Sequence, residues 1–107
     1  MKVQTKPGVY FRFIDDRFIT LAHVVWEEYQ KEDLTPTVTS ADDGKHHPNS
    51  WHYKGLGWDF RIWGLMNPQD TADRIRAKLK EINQSYNIIF GDEAHLDHIH
   101  SEFKERE

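Results

Sequence analysis

Two clusters hold the residue types that could do chemistry. The stretch from Thr39 to Asp59, TSADDGKHHPNSWHYKGLGWD, sets His52 and Asp59 seven residues apart, with Gly55 and Gly57 between them. Towards the other end, Asp97-His98-Ile99-His100 adds imidazoles and a second carboxylate. A hydrolytic zinc site needs such a set: three protein ligands, an open position for water, and a base beside it. The chain has no cysteine, so disulfides and thiolate zinc sites are excluded. Any metal must then be held by His and carboxylate side chains.

Six of the seven histidines fall between positions 46 and 100, at expected loops and strand ends rather than on helix faces. Taken singly, His46, His47 and His95 read most simply as solvated surface residues. That reading is weaker for His52, His98 and His100. Asp59 lies between Trp58 and Phe60, where an unpaired carboxylate is costly. A cation would offset that cost, and so would Arg61 on the same strand face. On a strand, His98 and His100 point to one face and Asp97 to the other. Asp97 therefore serves the same site only from a bend ahead of the strand. Spacing alone also allows His98 and His100 both to be ligands.

The elements that must position these groups can be read from periodicity. Val9 to Ile14 is rich in β-branched and aromatic types and predicts a short strand or extended lead-in. Asp15 or Asp16 suits the N-cap of a helix whose apolar face is Phe18, Leu21, Ala22, Val25, Trp26 and Tyr29, with His23 off that face. Thr35 to Thr39 predicts a short strand, Pro36 marking an edge or a start. Ala41 to Asn49 is polar, with Gly44 and Pro48, and predicts a long loop of the kind that tends to carry function. Gly57 to Trp63 returns to period two: Trp58, Phe60 and Ile62 on one face, Asp59, Arg61 and Trp63 on the other.

Asn67-Pro68-Gln69-Asp70 predicts a helix start, with Asn67 as N-cap, Pro68 in the first turn and Asp70 at the favourable end of the dipole. Its buried stripe is expected to be Ala72, Ile75, Leu79 and Ile82, and its wet face Arg74, Arg76, Lys78, Lys80 and Glu81. Tyr86 to Phe90, ended by Gly91, and Ile99 to Phe103 predict two more strands before a charged tail. The expectation is one α+β domain over residues 1–107, with two main helices and a small antiparallel sheet.

The bulk numbers exclude several classes. A net charge of −4 without a Lys/Arg stripe argues against a nucleic-acid partner, and so against a metal-dependent nuclease. Apolar runs are only a few residues long, too short for a membrane span. MKVQTKPGVYFRF lacks the apolar core of a secretory signal, so synthesis in the cytoplasm without a signal peptide is expected. At 107 residues burial is limited, and a metal site formed only on folding would add its binding energy to stability.

Ser50-x-His52-x-x-Gly55-x-Gly57-x-Asp59, followed by Asp97-x-x-His100, resembles the signature of one family of zinc peptidases. That family comprises the D-Ala-D-Ala carboxypeptidases and phage L-alanyl-D-glutamate endolysins, and hedgehog signalling domains share its fold. Its pattern is Ser-x-His-x-x-Gly-x-Ala-x-Asp, and only the Ala differs here, as Gly57. Thr39-Ser40, Asp43-Gly44-Lys45-His46 and His52-Tyr53-Lys54-Gly55 are also similar to small phage-type members, so the likeness covers about 65 residues.

The resemblance implies zinc bound by His52, Asp59 and His100, and a hedgehog or D-Ala-D-Ala peptidase-like fold. It implies Asp97 as the catalytic carboxylate and His98 as a site-lining or transition-state group. Ser50, Lys45, His46 and Tyr53 are the expected substrate-binding residues. The implied partner is the stem peptide of bacterial peptidoglycan, cut by a monomer acting after release or as a virion component. Asp rather than Glu at position 97 tilts the expectation towards endolysin-like cleavage. Larger members carry an arginine between the Thr-Ser turn and the first ligand, and this chain has none between Thr39 and His52. Lys45, His46, Arg12 or Arg61 are the candidates for that role. A non-catalytic, zinc-stabilised binding module is the alternative from a different class, and Asp97 speaks against it.

Overall fold

Five strands and two helices make up the described part of the chain, in the order β1 (Gln4–Thr5), α1 (Asp16–Gln30), β2 (Thr37–Ser40), β3 (Gly57–Arg61), α2 (Pro68–Ile82), β4 (Tyr86–Ile89) and β5 (His98–Phe103). A computed structural model describes residues 1–11, 13–41 and 57–104. The expected long loop and the candidate residues Lys45, His46, Ser50, His52 and Tyr53 lie outside the described residues, as do Arg12, His47 and Trp51. The α+β class expected from the sequence is the class found.

Local chemistry explains both helix starts. The Asp15 carboxylate accepts the Arg17 amide at 2.9 Å, so Asp15 is the N-cap of α1. The Asn67 side chain accepts the Asp70 amide at 3.2 Å, and Pro68 fills the first position of α2, where a missing N–H costs nothing. Helix α1 buries Phe18, Leu21, Ala22, Val25 and Tyr29 as the spacing predicts, while Trp26 is only half-buried. Helix α2 buries Thr71, Ala72, Ile75 and Leu79. Ile82 is 58% exposed rather than buried, because it is the last residue of the helix and has no next turn to hold it against the core.

The strands form one mixed sheet in the order β1-β2-β3-β5-β4. The pairs β2–β3, β3–β5 and β4–β5 are antiparallel, but β1 joins β2 in parallel, so the sheet is not wholly antiparallel. Of the short strand or extended lead-in expected over Val9 to Ile14, the described residues form no strand; Val9 and Phe11 pack on the core, and Gln4 and Thr5 make the ladder. Pro36 stands just ahead of β2, an interior strand, where its missing N–H removes nothing from the ladder.

Trp58 and Phe60 of β3 and Ile99, Ser101 and Phe103 of β5 alternate onto the core face, beneath the helices. Buried tyrosines tie helices to sheet: Tyr29 Oη donates to the Arg61 carbonyl at 2.7 Å, and Tyr86 Oη to the Arg17 carbonyl at 2.6 Å.

The polar face of α2 is less idle than its pattern suggests. Glu28 of α1 is fully buried, and Arg74 Nε donates to its Oε1 at 2.8 Å. Lys78 Nζ and Lys31 Nζ lie 2.7 and 2.9 Å from its Oε2. Burial works to raise the Glu28 pKa, yet Lys78, Lys31 and Arg74 together pull it down to about 2. Arg76, also expected on the wet face, donates through Nε and Nη2 to the Ile88 carbonyl at 3.0 and 2.8 Å. That covers an acceptor of edge strand β4 that would otherwise invite another chain.

Candidate metal centre

The site is a consequence of register on the sheet face opposite the helices. In the β3–β5 ladder Asp59 lies opposite His100, Arg61 opposite His98, and Gly57 opposite Glu102. Period two then puts Asp59 and Arg61 of one strand beside His98, His100 and Glu102 of the other. Of the residues implied as metal ligands, the described part of the chain brings Asp59 and His100 together. His100 Nδ1 is 2.8 Å from Asp59 Oδ1, and both residues are buried. His52, the third expected ligand, lies outside the described residues.

Behind His100 stands a group that the motif does not contain. His100 Nε2 is 2.7 Å from Oε1 of the buried Glu102. With its Nε2 proton donated to that carboxylate, His100 has Nδ1 as the nitrogen at which a bound ion would replace the proton shared with Asp59. A carboxylate backing the far nitrogen of an imidazole is the usual support for a metal-ligating histidine, since it fixes the tautomer and raises basicity. Glu102 was legible in principle: His98, His100 and Glu102 share one strand face at intervals of two, yet Glu102 reads as the start of a charged tail.

Asp97 and His98 form a second carboxylate–imidazole pair beside the first. Asp97 occupies the bend just before β5, the position the alternation argument requires of it. Its Oδ1 lies 2.6 Å from His98 Nδ1, while its side chain is 91% exposed. The hydrogen bond and charge of His98 hold the Asp97 carboxyl below the usual range. His98 Nε2 in turn stands 3.7 Å from Asp59 Oδ1. Both imidazoles therefore present a nitrogen to one carboxylate oxygen. His95 is drawn in as well. Its ring centroid lies 5.4 Å from that of His98 and 5.2 Å from that of His100, and its Nδ1 is 2.6 Å from Asp92 Oδ1. The reading of His95 as a solvated surface residue is corrected by this packing.

Electrostatics makes the arrangement attractive to a cation. Asp59, Asp97 and Glu102 bring three carboxylates to two imidazoles. Burial would lower the His100 pKa, but its hydrogen bonds to the Asp59 and Glu102 carboxylates outweigh that and raise the imidazole to about 9. Burial would likewise raise Glu102, and its bond to His100 reverses that shift downwards.

Asp59 and His100 in contact, with a carboxylate backing the imidazole and an excess of carboxylates, supply part of what a divalent ion would need. Among the described residues no set of three or more such side chains closes around one point.

Beside the pair is a cleft of about 290 Å³ lined by Lys6, Thr39, Arg61, Trp63, Asp97 and His98. Of the described tryptophans near the motif, Trp58 is buried in the core and Trp63 is 72% exposed and lines the cleft. Arg61, one of the candidate cations, reaches this cleft, with its guanidinium carbon 3.9 Å from the Trp63 ring centroid. Lys6 was not foreseen, because only the parallel β1–β2 pairing brings it there. Set beside known proteins, the chain matches no family model, no curated protein and no solved structure. No helix among the described residues is long and apolar enough to cross a membrane.

Proposed function

We propose that this chain is a zinc-dependent peptidase that hydrolyses an amide bond in peptidoglycan stem peptides, of the L-alanyl-D-glutamate endopeptidase or D-Ala-D-Ala carboxypeptidase kind. The observation that carries the reading is the Asp59–His100 contact with Glu102 behind it and Asp97 in the bend three residues ahead. Asp59, His100 and His52 would hold the ion. When bound, it supplies positive charge that acidifies water and polarises an amide carbonyl.

The remaining work falls to side chains of this protein. Asp97 is ionised at neutral pH and open to the cleft, so it can accept the proton of an attacking water. The water oxygen bonds to the carbonyl carbon, the C–N bond breaks, and Asp97 returns the proton to the departing amine. His98 keeps the Asp97 carboxylate oriented, at some cost in basicity, since the same bond that holds it lowers its pKa. Glu102, by accepting the Nε2 proton, would hold His100 in the tautomer whose Nδ1 is free for the ion beside Asp59.

Two measurements test the reading together. Purified peptidoglycan digested with the protein, with and without a chelator, should release fragments whose masses identify one amide bond, and only without chelator. Asp97→Asn should retain zinc in a stoichiometric titration while its rate falls by about 10²–10⁴. An Asp97→Asn protein that cleaves at the wild-type rate removes Asp97 from the chemistry. Full zinc retention with no cleavage by the wild-type chain would leave the non-catalytic binding module in its place.

A further inference from the structure

The cleft next to the metal centre carries two cations for which the proposed hydrolysis has not yet been given a use. Lys6 arrives because its amide donates to the Val38 carbonyl at 2.9 Å, extending the parallel β1–β2 pairing by one residue. Arg61 arrives as the last residue of β3, opposite His98, with its carbonyl held from the core side by Tyr29 Oη. Among the described residues, no carboxylate lies within ion-pair distance of Lys6 or of Arg61. The Trp63 ring under the Arg61 guanidinium restrains the side chain from one face and leaves the edge donors of its fork open. Asp97 and His98 line the same cleft, His98 as the cross-strand neighbour of Arg61.

From this we infer that Lys6 and Arg61 form a carboxylate-recognition subsite, which selects peptides bearing a free carboxylate next to the amide bond that faces Asp97. The inference rests on the peptidase reading and names its substrate class. Charge favours such a device: the chain carries a net −4 and the site gathers Asp59, Asp97 and Glu102, so cations in the cleft help an anionic peptide to approach. A planar guanidinium binds a carboxylate through two parallel N–H donors, which fixes orientation as well as position, and the Lys6 ammonium adds a movable charge. Fixing the carboxylate at one end of a cleft of this size also fixes the neighbouring amide relative to Asp97.

The test uses zinc-loaded Asp97→Asn protein, so that the ligand survives, and two probes: the dipeptide L-alanyl-D-glutamate and its diamide. Binding is followed through the Arg61 Nε–H and Trp63 indole N–H resonances. The dipeptide should move both signals and bind about tenfold or more tighter than the diamide. Adding Arg61→Gln or Lys6→Gln should each weaken the dipeptide by about tenfold and leave the diamide within about twofold, while Arg61→Lys should recover part of the loss. Equal binding of the two probes, equal weakening of both by the variants, or no response at Arg61 and Trp63 overturns the inference. The two readings fail separately. Charge-selective binding by a protein that never cleaves peptidoglycan removes the peptidase reading alone, and cleavage without charge selectivity removes the subsite alone.

Discussion

Replacing Glu102 probes the proposed metal centre without relying on any assay of catalysis. Its carboxylate sits 2.7 Å from His100 Nε2, and both side chains are almost fully buried, so no water easily takes its place. Outer-shell partners of ligating histidines contribute about 10–100-fold in metal affinity, or about 1.4–2.7 kcal/mol. Two variants divide that range. Glu102→Gln keeps an acceptor for the Nε2 proton but loses the charge, and should weaken zinc by about tenfold. Glu102→Met removes both acceptor and charge at similar volume, and should approach a hundredfold. The assay is competition for zinc against a chromophoric chelator, with circular dichroism to confirm that each variant is folded. A folded Glu102→Met protein that binds zinc within about twofold of wild type would refute the reasoning. His100 would then not be held through its far nitrogen, or would not be a ligand.

The two candidate ligand sets separate in the same assay. With His52, Asp59 and His100 as ligands, His100→Gln should weaken zinc by more than Glu102→Met does, and His98→Gln should change it little; equal losses would instead place His98 in the coordination sphere. Glu28→Gln tests the buried ion cluster between the helices. The depressed Glu28 pKa means that the folded state is stabilised by its ionised carboxylate above about 4.5, and that this contribution fades as pH falls towards about 2. At pH 7 the difference corresponds to about 3 kcal/mol by linkage, less whatever solvent screening of the half-exposed cations removes. Denaturant unfolding should therefore give a wild-type advantage of about 2–3 kcal/mol at pH 7 that shrinks steadily below pH 4.5, and a difference independent of pH would sink the idea.

Features set by a residue and its near neighbours were legible in the sequence. Asp15 and Asn67 announce their helices because a cap is a contact across two or three residues. Asp59 and the pair His98 and His100 announce a shared face because alternation is a property of one strand. What failed was long-range. The parallel pairing of Gln4 and Thr5 with β2 leaves no mark at either partner, so Lys6 was invisible as a cleft residue. Arg74 and Lys78 read as a solvated face because nothing within α2 reveals a buried glutamate on α1.

The same division explains why a site can be specified by so few residues. One register, Asp59 opposite His100, fixes a chain of contacts along a single sheet face: Asp97 to His98, His98 to Asp59, Asp59 to His100, and His100 to Glu102. A slip of one residue in that ladder would turn the whole set of one strand onto the core face, where carboxylates cannot remain charged. The apolar residues that alternate with them, Phe60 and Ile99, forbid the slip from the other side, since both are fully buried beneath the helices. The core thus sets the geometry of the polar cluster. The cluster's excess of carboxylates is tolerated because each stands within reach of an imidazole, and a divalent ion would complete the balance that the imidazoles begin.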